Sequence, residues 1–171
     1  MSEARPRIPV ALLPIMILAI AALMRPADHS DTRLFNDSAS VPLGFWSRVK
    51  TPIVPGVVIG FHPPEAAMTY VRQHMPEYAS KKLIQKYVVA TAGDRICRAG
   101  GAFSVNGTVL GQAALADREG NPLPAWQGCH VLTAGQVAVF SNRIPNSFDS
   151  RYYGAIPAAN IIGVYRPVWT W

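Results

Sequence analysis

Phe103-Ser104-Val105-Asn106-Gly107-Thr108-Val109-Leu110 sets an Asn-Gly pair between two short runs of β-forming residues. A two-residue Asn-Gly loop favours the turn whose twist matches two antiparallel strands, so this stretch predicts a β-hairpin. Similar runs, separated by proline and glycine, lie on both sides of it: Gly44–Val49, Val57–Phe61, Leu83–Ala90, Gln136–Phe140 and Ile161–Val168. Short strands punctuated in this way predict a mainly β fold, a coiled antiparallel sheet or partly open β-barrel. One short helix fits between Pro64 and Met75, with Pro64 near its first turn and Pro76 ending it. Gln112 to Gly128, rich in Ala, Gly and Pro, reads as a loop or small insertion.

The 171 residues, 50% hydrophobic and 15% charged, suit one globular domain with an appendage. That appendage is N-terminal. Residues 8–24 carry no charge between Arg7 and Arg25, and a bilayer crossing needs roughly 17–25 apolar residues. The expected organisation is a cytoplasmic N-terminus at 1–7, a transmembrane anchor at 8–24, a polar tether at 25–36 and a periplasmic domain at 37–171. Ala19-Ile20-Ala21 has the small-x-small form that precedes a leader cleavage site, so removal of the run is the competing reading. Arg5 and Arg7 before it and Arg25 and Arg33 after it give little positive-inside bias.

Sidedness rests instead on Cys97 and Cys129, a lone pair beyond the anchor that suits a disulfide in an oxidising compartment. Such a bridge contributes about 3–4 kcal/mol on the chain-entropy model. Two buried thiols are the alternative. The net charge of +6 comes from scattered Lys and Arg without an aromatic-interleaved basic run, which argues against a nucleic-acid partner and for a surface facing anionic lipid.

Three segments carry candidate chemistry. Lys86 shares a strand face with Ile84, Val88 and Ala90. Apolar surroundings disfavour the ammonium form, so such a lysine can serve as a base near neutral pH, although a strand lysine more often snorkels to water. Asn36-Asp37-Ser38-Ala39-Ser40-Val41-Pro42-Leu43-Gly44 is a serine-bearing turn entering an aromatic strand. A serine nucleophile needs an adjacent base and oxyanion donors, which a rigid turn offers through its own amides. In Asn146-Ser147-Phe148-Asp149-Ser150-Arg151-Tyr152-Tyr153-Gly154, Asp149 and Arg151 are placed to pair. No Gly-x-Ser-x-Gly or His-Glu-x-x-His occurs, so neither a Ser/His/Asp triad nor a zinc hydrolase is expected, and no metal or cofactor is expected either. His62, His74 and His130 read as structural, and His29 lies in the tether.

In this order, the three segments resemble the type I signal peptidase superfamily: Ser38-Ala39-Ser40-Val41, then Ile84-Gln85-Lys86 through Gly93-Asp94, then Asn146 through Gly154. Two departures, Ser40-Val41-Pro42-Leu43-Gly44-Phe45-Trp46 and Ser141-Asn142-Arg143-Ile144-Pro145 before Asn146, are similar to the conjugative-transfer peptidases of TraF type. The resemblance implies a signal-peptidase-like fold with Ser40 as nucleophile and Lys86 as general base. It further implies an oxyanion hole from the Ser38 hydroxyl and the Ser40 amide, Ser147 orienting the lysine, and Asp149 with Arg151 as a structural ion pair.

The expected function is a membrane-anchored serine endopeptidase that acts on exported precursors at the outer face of the bacterial cytoplasmic membrane. Its expected substrate is a conjugative pilin, matured by cutting and in some relatives joined end to end, beside other type IV secretion components. The alternatives are a general leader-removing signal peptidase and, in another class, an inactive membrane-tethered β-domain acting as a pilus-assembly scaffold. A self-cleaving repressor is excluded by the anchor and the lack of a DNA-binding segment.

Overall fold

A computed structural model describes residues 32–171. The expected cytoplasmic N-terminus, the transmembrane anchor and the tether up to residue 31 lie outside the described residues. Among the described residues, no helix is long and apolar enough to cross a membrane.

Among the described residues, eleven strands form two antiparallel sheets: β1 Arg33–Asn36, β2 Gly44–Val49, β3 Val58–Phe61, β4 Ile84–Ala90, β5 Arg95–Ala99, β6 Ala102–Val105, β7 Thr108–Gln112, β8 Gly128–Val131, β9 Gln136–Phe140, β10 Ile156–Pro157 and β11 Ile161–Thr170. Seven run in the order β1-β2-β11-β3-β4-β9-β10 and four in the order β7-β6-β5-β8. Register shifts interrupt β11 between Ile161 and Gly163 and between Pro167 and Trp169, and β4 between Val88 and Ala90. An extra residue on one strand bends it and increases its twist, which curls the larger sheet. The fold is thus mainly β and antiparallel, as the strand runs predict.

The Asn-Gly hairpin forms as expected. Asn106 and Gly107 take positive φ, 49° and 86°, between β6 and β7, and the Asn106 carboxamide ties the turn to Arg95 N and Asp94 Oδ1 at 2.8 Å each.

The elements depart from the sequence reading at the tether and in the helices. The last residues of the expected tether, Arg33–Asn36, are β1, paired residue for residue with β2. In place of the one short helix expected beyond the anchor, the described residues hold three short α-helices: α1 Glu65–His74, α2 Pro76–Ser80 and α3 Ser150–Tyr153. Pro76 ends α1 as predicted, yet proline also suits a first helical turn, whose amide needs no partner, and it opens α2.

The main core lies between β3, β4, β9 and β11 on one side and α1 and α3 on the other, with Ile59, Phe61, Val71, Ile84, Val88, Val139, Phe148 and Tyr152 buried. Ile96, Phe103, Leu132 and Phe140 form a second cluster, and Val41, Trp46, Val58 and Tyr165 a third beneath the serine-bearing turn.

Cys97 and Cys129 stand opposite each other in the β5–β8 pairing and are bridged, their Cα atoms 4.1 Å apart. Alkylation of the freshly isolated protein without reductant is therefore expected to modify neither cysteine, and both after reduction. Two modified thiols before reduction would contradict the bridge.

Candidate active site

The turn between β1 and β2 is built by its first residue. Asn36 is buried, and its Nδ2 donates to the carbonyls of Ser38 at 2.8 Å, Val41 at 3.1 Å and Pro42 at 2.9 Å, while its Oδ1 accepts from Ser38 N. An asparagine folding back on its own backbone fixes a turn in this way. The end of the turn is equally constrained: a Cβ on Gly44, at φ 131°, would overlap the Trp169 carbonyl of β11. Ser40 is held at the bend, fully buried.

Strand β4 brings Lys86 to the same point. Lys86 Nζ donates to Ser40 Oγ at 2.6 Å, and the Ser38 and Ser40 hydroxyls are hydrogen-bonded at 3.0 Å. Burial lowers the Lys86 amine to about 8; Asp149 opposes that shift and Arg151 adds to it. Ile84 and Val88 are buried on the same strand face, as the alternation predicts. Val88→Thr, which adds a hydroxyl there, should raise the lysine pKa and move the rising limb of a pH–activity curve to higher pH. An unmoved limb in a folded variant would show that this face does not tune the amine.

Asp149 and Arg151 form the expected ion pair, Nε to Oδ1 at 2.9 Å and Nη2 to Oδ2 at 3.0 Å, with both side chains buried. The guanidinium also donates to the carbonyls of Gln112 and Ser147 and lies 4.9 Å from the Phe140 ring centroid. Ser147 is buried beside the site, but its Oγ has no hydrogen-bond partner among the described residues. The expected bond from Ser147 to the lysine amine is thus not made here.

Ser38, Lys86 and Ser147 line one cleft of about 580 Å³. Tyr70, Phe148 and Tyr152 line it too and stack, with centroids 5.2 Å apart for Tyr70–Phe148 and 5.6 Å for Phe148–Tyr152. Residues of the expected insertion line it as well, fastened by Tyr70 Oη donating to Asp117 Oδ2 at 2.8 Å and by Ala114 N donating to Tyr152 Oη at 3.2 Å. No cluster of His, Cys, Asp or Glu suited to a metal ion occurs among the described residues.

Sequence reasoning missed three residues that hold the turn: Asn36, Ser141 and Arg143. The Ser141 hydroxyl donates to the Ser40 carbonyl at 2.5 Å, and Arg143 Nε to the Ala39 carbonyl at 3.2 Å. Asn36 heads the serine-bearing segment, and the sequence signal for Ser141 and Arg143 is the departure at Ser141-Asn142-Arg143.

The signal peptidase, peptidase S26 family profile matches residues 7–171. Plasmid transfer protein TraF of Escherichia coli is 31% identical over 160 residues, covering 88% of this chain and 90% of that protein. A probable conjugal transfer protein TraF of Sinorhizobium fredii is 35% identical over 147 residues, covering 80% and 76%. A signal peptidase I structure from Enterococcus faecalis superimposes at a TM-score of 0.38 and 18% identity, over 68% of this chain and 97% of that one. The chain belongs to the signal peptidase family, peptidase S26, among relatives of the TraF conjugal-transfer kind.

Proposed function

We propose that the protein is a serine endopeptidase with a Ser40/Lys86 dyad that matures a conjugative pilin precursor at the outer face of the cytoplasmic membrane. The observation that carries this reading is the 2.6 Å contact between Lys86 Nζ and Ser40 Oγ, made in a buried setting that lowers the amine.

The chemistry follows from that contact. Neutral Lys86 accepts the Ser40 hydroxyl proton as Oγ attacks the scissile carbonyl. The oxyanion is received by Ser40 N–H and by the Ser38 hydroxyl, which must leave its bond to Ser40 Oγ to reach it. The Lys86 ammonium then protonates the leaving amine, and an acyl-enzyme remains on Ser40. Water resolves it to a cut product. The free N-terminus of the same pilin resolves it to a ring.

Location at the membrane surface is part of the same reading. Phe35, Phe45, Trp169 and Trp171 are 46–67% exposed and form one cluster on β1, β2 and the end of the chain. Aromatic side chains favour the bilayer interface, and β1 begins within ten residues of the apolar run 8–24. The bridge between Cys97 and Cys129 suits the periplasm.

Mass spectrometry of the pilin made with this protein and with its Ser40→Ala variant tests the proposal. A cut pilin should appear only with the intact dyad, and a product lighter by one further water would report ring closure. An uncut pilin alongside shortened exported proteins of other kinds would point to general leader removal. Pilin unchanged in mass but unable to assemble without this protein would point to a scaffold.

A further inference from the structure

Where β9 ends, Ser141-Asn142-Arg143 runs against the serine-bearing turn and bonds two of its successive carbonyls, Ser40 through the Ser141 hydroxyl and Ala39 through Arg143 Nε. The two contacts are themselves coupled, because Arg143 N donates to Ser141 Oγ at 3.3 Å. Ser141 is also fixed from behind. Its N–H donates to Asp149 Oδ2 at 3.2 Å, and its carbonyl accepts from Arg151 Nη2 at 3.4 Å. A chain of hydrogen bonds therefore joins the buried ion pair to the nucleophile-bearing backbone.

The Ala39 carbonyl and the Ser40 N–H belong to one planar peptide unit and point in opposite directions. A donor on that carbonyl consequently sets the direction of the amide that the proposed mechanism aims at the oxyanion. A guanidinium bond is charge-assisted, and polarising the unit from its oxygen end makes its N–H a better donor. Ser141 does the same for the next unit, whose N–H, that of Val41, donates to the Ser38 carbonyl at 3.4 Å and so stiffens the segment carrying both serines.

We propose that Ser141 and Arg143 are positioning residues for the oxyanion hole, acting through the Ala39 and Ser40 carbonyls. This rests on the serine-peptidase reading of the site. Removing a direct oxyanion donor costs roughly a hundred- to a thousandfold in kcat, and loosening one costs less, so about ten- to a hundredfold is expected here.

The test is steady-state cleavage of an internally quenched peptide carrying the pilin cut site, by wild type, Ser141→Ala, Arg143→Ala, Arg143→Lys and Ser40→Ala. Arg143 is exposed, so its variants keep the fold even if Ser141→Ala does not. Both alanine variants should lose kcat by about ten- to a hundredfold with KM within about twofold. The rising pH limb should stay in place, because the lysine's surroundings are untouched, and Arg143→Lys should recover part of the loss. Folded alanine variants with wild-type kcat, or with a raised KM alone, would overturn the proposal. Cleavage by Ser40→Ala would instead strike the peptidase reading itself.

Discussion

Ser40→Ala and Lys86→Ala are each expected to end processing of the precursor, with rates down by about 10⁴-fold or more, because nucleophile and base act as one unit. The reason is local. Among the described residues, Ser40 Oγ is hydrogen-bonded to Lys86 Nζ at 2.6 Å and to the Ser38 hydroxyl at 3.0 Å. Lys86→Ala removes the proton acceptor, and Ser40→Ala the atom that forms the acyl bond. Neither should unfold the domain, since neither side chain is a hub of the apolar clusters. Substantial cleavage by a purified Ser40→Ala protein, followed by gel shift of the precursor, would end the dyad assignment.

Asp149→Ala should be the most destabilising single change at the site. It strips the counter-ion from Arg151, which is 4% exposed and cannot turn to water without abandoning the carbonyls of Gln112 and Ser147. Breaking a buried pair from one side costs about 3–5 kcal/mol, a large share of the roughly 5–15 kcal/mol that holds a domain together. A fall in Tm on the order of 10 °C is the expected result in a thermal melt. A melt within a degree or two of wild type would show that the pair contributes no net stability.

The sequence carried the larger sheet well because its inner strands alternate or are wholly apolar. Gly44–Val49 and Gln136–Phe140 are bounded as read, and the Asn106-Gly107 turn is where local chemistry alone decides the conformation. The strands that escaped notice lack such a pattern. Residues of β8, Gly128–Val131, are all exposed, and β5, Arg95–Ala99, puts two arginines among five residues. What specifies them is partner pairing, including the Cys97–Cys129 register, which is a long-range fact. β1 was hidden for the same reason, as a four-residue edge strand defined by its pairing with β2.

At the site, the strand pattern sets Lys86 among apolar neighbours, but such a pattern more often belongs to a lysine that snorkels to water, and it was the resemblance of three segments in order that singled Lys86 out. Ser38, Ser40, Asp149 and Arg151 came from their motifs, and the structure brings them together. Ser141 and Arg143 were not legible, since their function lies in bonds to backbone carbonyls some hundred positions away. Backbone carbonyls leave no trace in side-chain chemistry.

The proposed mechanism needs Lys86 to be a buried amine able to stand neutral beside Ser40, and an NMR titration of the protein labelled with ¹³Cε-lysine decides whether it is. Assignment by loss of one signal in Lys86→Met makes the reading independent of any substrate. The Lys86 signal is expected to titrate near 8, because burial disfavours its charged form. A Lys86 signal that stays in the ammonium position until the pH reaches the ordinary lysine range, about 10.4, would contradict it.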